Sequence, residues 1–383
     1  MGKRMDKKPA ISLLLISLFL VLLKAADTEA LEPKLLWKKE FKFKIGDLDF
    51  ATETGNVILS VDGREVFLFD KHGKERFHWG PRLDRGGGRV SISKDGKSFA
   101  FVTGYTEEYS MKKGVHWSVD DRVLFYSGQT KKELWNKRID GSPSLFPDGL
   151  SLIVYGFSGG TFYIFNADGK EIYSHKQPLG LPSFQISPDS SHFAFIKDSK
   201  QPLTLCKRDG TKVWEKGRHD LVVSISEGAS YISTAPYFLG PDDTADSQNT
   251  HKGIVYDKDG NIVTEGFGIL SGDGRKVAMI YREKVIVMSL PDKKVLKEIL
   301  VDMKEVFDVS GAPNMLLSKD GRYIFIKSGG SFRIYHLLNE SKNEIMIPNL
   351  GKYPTFMIAE SGKFLVVSPE YPWDHQLYFY QIY

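Results

Sequence analysis

Phe184–Trp214 reads FQISPDSSHFAFIKDSKQPLTLCKRDGTKVW, and its pattern decides the fold. Four short runs, Phe184–Ser187, His192–Lys197, Leu203–Lys207 and Thr211–Trp214, are rich in apolar and β-branched residues. Between them stand Pro188-Asp189, Asp198–Gln201 and Asp209-Gly210, the residue types that tight reversals require. The spacing predicts a small antiparallel sheet of four strands. One such sheet exposes two faces and cannot bury a core by itself, so it needs neighbours of the same kind.

The neighbours are in the sequence. Eight segments share an apolar strand, a tight turn and a second apolar strand: 48–61, 90–103, 144–155, 184–197, 223–234, 269–281, 316–327 and 357–368. Their turn glycine, or Ser190 in its place, recurs in steps of 41, 53, 41, 38, 46, 47 and 41 residues. A second hairpin follows each of them, as in VLFYSGQTKKELW (123–135) and FYIFNADGKEIY (162–173). Four strands per unit at this period is the signature of β-propeller blades. The last unit ends at LYFYQIY (377–383) without a fourth strand, and LLWKKEF (35–41) supplies one ahead of the first unit. The reading is an all-β, eight-bladed β-propeller of four-stranded antiparallel blades, closed by the N-terminal strand pairing with the C-terminal blade. A count of seven stays open if the irregular unit at 223–263 is not a full blade.

Composition bounds the function. The 383 residues are 41% hydrophobic and 26% charged, with 13% aromatics and 36 glycines, as suits a soluble chain of strands and turns. The formal charge is +4, falling to +2 when residues 1–30 are set aside, and no basic stripe suits nucleic acid. Cys206 is the only cysteine, set in an apolar run, so an internal disulfide and a multi-cysteine metal site are excluded.

Residues 1–30 form a unit of their own. Lys3, Arg4, Lys7 and Lys8 precede the apolar stretch Ala10–Leu23, and small residues follow at Ala25, Ala26, Thr28 and Ala30. This stretch of 14 residues, apolar apart from Ser12 and Ser17, is short of the roughly 20 that span a bilayer, so a cleaved export signal is expected, with an uncleaved N-terminal anchor as the alternative. The remainder, 31–383, is read as a single propeller domain, exported to the periplasm or beyond and monomeric.

Two family resemblances sit on the turns. Ser187-Pro188-Asp189, Ser93-Lys94-Asp95-Gly96-Lys97 and Ser318-Lys319-Asp320-Gly321-Arg322 resemble the S-P-D-G-K turn of TolB-like (WD-like) propeller repeats. Tyr126–Trp135 and Ile164–Tyr173 resemble the D-x-x-T-G-K-x-x-W hairpin of PQQ-like quinoprotein repeats. Together they cover nearly all of 35–383. The resemblance implies the propeller fold, which serves enzymes, assembly factors and scaffolds alike. Quinoprotein dehydrogenases hold a calcium-bound cofactor in the channel, often against adjacent cysteines; with one cysteine here, no cofactor ligand is carried over.

Candidate function lies in departures from the repeat. The b–c connections Gly104–Asp121, Ala235–Lys252 and Pro369–Gln376 are long and fall at the same point of their units, so they should crown one face. They carry Tyr105, Tyr109, His116, Trp117, Tyr237, Phe238, Tyr371, Trp373 and His375. Loops hold most binding residues, and Tyr and Trp are the side chains enriched at interface hot spots. The competing role for these aromatics is to seat the loops on the rim. Asp242, Asp243 and Asp246 match no calcium loop, so no metal is assigned. Arg85-Gly86-Gly87-Gly88-Arg89 reads as a flexible turn between blades, and no serine or histidine has a catalytic context. The expectation is a non-catalytic binding or assembly module for a protein, peptide or glycan, without cofactor. The alternative is a propeller enzyme, either a quinone-dependent dehydrogenase or a hydrolase or lyase at the channel mouth.

Overall fold

Eight four-stranded antiparallel sheets form the computed structural model. It describes residues 33–382 apart from 63–64, 81–86, 104–107, 111–113, 117–121, 140, 157–160, 177–182, 197–200, 220, 236–252, 282, 302–314, 329–330, 338–341, 347–353, 360–361 and 370–374. The export segment and the Asp242–Asp246 cluster lie outside the described residues. Among those described there is one 3-10 turn, Glu227–Ala229, and no α-helix.

In blades 1 to 7 strands a to d run in chain order. Blade 1 is Ile45–Ala51, Asn56–Val61, Glu65–Phe69 and Glu75–Trp79. Blade 4, the stretch quoted first, is Ser183–Ile186, His192–Ile196, Gln201–Lys207 and Lys212–His219. Each strand agrees with its expected bounds to within two residues except the last, which runs five residues further. The irregular unit is a full blade 5, Leu221–Ile225, Tyr231–Ala235, Ile254–Asp257 and Ile262–Glu265, so the count is eight. In blade 8, Thr355–Ile358, Phe364–Ser368 and Gln376–Gln381 take the N-terminal strand Lys34–Glu40 as their fourth member. Lys34 lies opposite Gln381 and Glu40 opposite Gln376, as the orphaned C-terminal hairpin required.

The core is a set of seams. Among the described residues eight apolar clusters are found, one between each pair of neighbouring blades, the last joining Leu48, Val57 and Leu59 of blade 1 to Val366, Leu377 and Phe379 of blade 8. Alternation along the middle strands produces this: successive side chains point to opposite faces, and both faces meet a neighbour. Strand c of blade 4, with Leu203, Leu205 and Cys206 all buried, shows the double burial directly.

The outer rim has its own fastening. The strand d residue that pairs with strand c just before its bulge is aromatic in blades 1, 2, 3 and 4, namely Phe77, Trp135, Tyr173 and Trp214, and Trp37 on the N-terminal strand pairs with Phe379 in blade 8. The indole N–H of Trp37 donates to the Lys71 carbonyl (3.0 Å), that of Trp135 to Ala167 (3.1 Å), and that of Trp214 to Lys258 (2.9 Å). Each acceptor lies in the c–d turn of the following blade. Lys297 holds the place in blade 6, and its ammonium donates to the His336 carbonyl at 3.2 Å. Gly73 shows why that turn needs glycine: its φ is +75°, and a Cβ would meet the Trp37 ring at 2.9 Å.

Candidate functional site: the long-loop face and the inner seam beneath it

Because a, b, c and d alternate in direction, all a–b and c–d turns lie on one face and all b–c and d–a connections on the other. The strand ends that the long connections of blades 2, 5 and 8 join therefore lie on one face. In blade 2 the connection forms a two-stranded hairpin of its own, Glu108–Ser110 with Gly114–His116, in register Glu108↔His116 and Tyr109↔Val115. Nothing in the alternation of 104–121 had marked this hairpin, because three-residue strands are too short to show a period.

The structure brings the candidate residues together only in part. Tyr109 and His116 lie on opposite strands of that hairpin, offset by one register position. His375 closes the ring: its carbonyl accepts the Phe41 N–H (2.9 Å), and its Nε2 lies 3.5 Å from Glu40 Oε1. Tyr105, Trp117, Tyr237, Phe238, Tyr371 and Trp373 lie outside the described residues.

Below the loop face, the inner strands carry a polar chain between blades 1, 2 and 3. Asp49 Oδ2 accepts the Ser91 hydroxyl (2.9 Å) and the Ile92 N–H (2.8 Å), both on the inner strand of blade 2. Ser91 Oγ in turn accepts the Leu145 N–H of blade 3 at 3.0 Å. The device returns in blade 5, where Ser224 Oγ accepts the Leu270 N–H of blade 6 (3.0 Å). In each case one side chain satisfies a backbone donor of the next inner strand that no ladder partner reaches. At the equivalent place blades 6, 7 and 8 carry Ile269, Leu316 and Met357, which cannot accept.

Two positions nearer the loop face, Asp47 accepts the Val90 N–H (2.9 Å) and faces Arg89 at 3.6 Å. Gly87 and Gly88 thus belong to strand a of blade 2 (Gly87–Ile92), and Arg89 is the partner of a carboxylate. This corrects the reading of 85–89 as a flexible turn: the ion pair and the Val90 bond recruit its second half into the sheet. Burial pushes the Asp49 carboxyl up to about 6, against the hydrogen bonds from Ile92, Phe50 and Ser91, and the neighbouring Asp47 charge adds to the rise. Burial also raises Asp47, opposed by Val90 and Arg89. Sequence reasoning missed this pair, since Asp47 and Asp49 look like the solvent-facing positions of an alternating strand.

One constellation has the residue types of a hydrolase. In the a–b turn of blade 4, Ser191 Oγ lies 2.7 Å from His192 Nδ1 and 2.8 Å from both oxygens of Asp189. A nucleophilic serine needs its proton drawn by the histidine, with the carboxylate behind the ring. Here the carboxylate takes the hydroxyl proton directly, and Asp189 also accepts the Gly228 N–H of blade 5 at 3.0 Å. The group caps a turn and ties two blades. Among the described residues no cluster of three or more His, Cys, Asp or Glu could hold a metal ion.

Solved structures share this architecture. BamB from Moraxella catarrhalis is 12% identical over 91% of this chain and all of its own, with a TM-score of 0.56. The C-terminal WD40 domain of Sif2 is 15% identical over 92% of this chain and 98% of its own, at 0.59. The β-propeller domain of Cps50 (Swd1) from Myceliophteria thermophila is 9% identical over 92% and 100%, at 0.54. These neighbours are WD40- and BamB-type β-propellers, and at such identities the likeness concerns the fold. No protein-family model matches the chain, and no curated protein does.

Proposed function

We propose that this chain is an exported, non-catalytic propeller scaffold that binds a protein, peptide or glycan of the cell envelope through its long-loop face. The observation that carries the reading is the coincidence of three long connections, one extended into its own hairpin, on a single face of an otherwise regular ring. A regular blade needs only a short reversal between strands b and c, so length there serves something beyond the fold. The likeness to WD40- and BamB-type propellers supports a scaffold that binds protein, and the BamB likeness is in keeping with an envelope location. Residues 1–30 are read as the export signal or, uncleaved, as an N-terminal anchor, ahead of one propeller domain that works as a monomer.

The aromatic side chains of the loops, Trp117, Tyr109, Tyr237 and Trp373, are the proposed contacts. Replacing Trp117 and Trp373 by alanine should weaken capture of an envelope partner at least tenfold while leaving the melting temperature within about 2 °C. Equal loss of capture and stability would make these residues part of the rim.

A further inference from the structure

The segment Lys34–Lys44, KLLWKKEFKFK, holds five lysines against one acid, a local charge equal to the formal charge of the entire chain. It comprises the outer strand of blade 8 and the turn leading into blade 1. The strand is the open edge of its sheet, paired on one side only. Lys34, Lys38, Lys42 and Lys44 are exposed along it, and so are two large apolar side chains, Leu35 (45%) and Phe43 (44%), one near each end. The Lys38 ammonium lies over the Tyr378 ring and that of Lys42 over the Phe43 ring, each at 5.1 Å, so aromatic faces rather than carboxylates hold them. Lys71 and Lys74, exposed in the adjoining c–d turn of blade 1, extend the basic area around Trp37.

We propose that this outer edge of blade 8 lies against an anionic phospholipid surface. Ammonium groups interleaved with exposed Leu and Phe suit the headgroup boundary, where phosphates meet the first acyl carbons. The position in the chain fits the same occupant. The apolar stretch Ala10–Leu23 ends ten residues before Lys34, a tether of at most about 35 Å when fully extended. Retained as an anchor, that segment holds this edge within reach of the bilayer it enters. Lysines on an open edge also prevent strand addition. Charge reversal separates the two roles, because glutamate blocks strand addition equally well and repels anionic lipid.

The full chain, with Lys34→Glu, Lys38→Glu and Lys42→Glu combined, is sedimented with vesicles of neutral phosphatidylcholine or of phosphatidylcholine with 30% phosphatidylglycerol. The unaltered protein should bind the anionic vesicles at least fivefold better than the neutral ones, and about 0.5 M salt should abolish the difference. The triple variant should lose the anionic preference while keeping its binding to neutral vesicles, which reports the apolar groups (residues 10–23, Leu35 and Phe43) rather than the lysines. Lys207→Glu with Lys212→Glu, on blade 4 across the ring, should change neither. Single Lys42→Glu, in the turn and outside strand pairing, gives a graded loss should the triple variant fail to fold. Equal binding to both vesicle types, or an equal loss in the blade 4 control, overturns the proposal.

Discussion

Lys319 Nζ lies 2.6 Å from Glu227 Oε1, although the two residues belong to blades 7 and 5. Blade 6 passes between them at its a–b turn: Glu227 N–H donates to the Gly272 carbonyl (2.8 Å), and Asp273 N–H to that of Lys319 (2.9 Å). Three consecutive blades are thereby linked at the inner end of the tight-turn face.

The backbone part of this link outweighs the ionic part. Both charged side chains are about a third exposed, so solvent screening leaves the pair worth less than about 1 kcal/mol, and Lys319→Met should cost no more. Gly272 is different. A Cβ there would stand 2.9 Å from Lys319 Cγ and 3.2 Å from its Cα, which is backbone and cannot swing aside. Gly272→Val should cost about 1–3 kcal/mol. Chemical denaturation of both variants checks the order; a larger loss for Lys319→Met would mean the ion pair dominates.

Ring closure rests on Trp37. Its ring stacks on Phe379 at 5.0 Å with 7° between planes, covers Gly73 and donates to Lys71. Trp37→Ala removes all three contacts and should cost about 2–4 kcal/mol, somewhat less than a fully buried aromatic because Trp37 is half-buried. The loss falls on one seam, so limited proteolysis should cut between residues 33 and 45 before any other blade opens.

Asp49 gives stability an inverse dependence on pH. Its folded carboxyl titrates near 6 and its unfolded one near 3.8, so the folded state binds the proton more tightly. Its contribution therefore improves as pH falls from about 7 through 6, by up to about 3 kcal/mol, and levels off below 4. Asp70 acts in the opposite direction. Burial works against its charge, yet the N–H groups of Lys74 and His72 and the Arg76 guanidinium hold its carboxyl below 3.8. The stability it supplies is lost as pH falls below about 4. Asp49→Asn keeps an acceptor for Ile92 and Ser91 and removes the charge, so between pH 5 and 7 its melting temperature should fall less steeply than the parent's, with Asp47 supplying what slope remains. A parallel decline in both proteins would place the titration elsewhere.

Ser224 tests the inner links by a single atom. Ser224→Ala leaves the Leu270 N–H without its acceptor and should cost about 1–2 kcal/mol, whereas Asn261→Ala, in the exposed c–d turn of the same blade, loses only a solvent-exposed bond to Asp257 (3.0 Å) and should cost less than about 0.5 kcal/mol. Thermal melts of the two variants decide it.

The blades were legible because their signals are local and repeated. Turn glycines at 96, 149, 274 and 321, and aromatics such as Trp135 and Trp214 at fixed distance from a turn, can be read without knowing any tertiary contact. The N-terminal strand was legible for a different reason: LYFYQIY lacked a partner and LLWKKEF offered one. What stayed hidden depends on who the neighbour is. Asp49 is a bridging acceptor only because Ile92, 43 residues away, presents a free N–H to it. Arg89 joined a strand because Asp47 stood opposite. In the loops the sequence offered aromatics without a period, and the hairpin at 108–116 carries too few residues per strand to announce itself.

The strand that is made first is the last to find its place. Lys34 pairs with Gln381, about 350 residues further on, so the N-terminal strand waits through the synthesis of every other blade. For that interval it has an open edge and no sheet, the circumstance in which a strand joins a stranger. Its three lysines, with Lys42 and Lys44 just beyond, keep it apart until Phe379 arrives to meet Trp37. Closure of this ring is thus an event in time, and assembly from two separately made pieces, 33–44 and 45–383, should give the same ring without the wait.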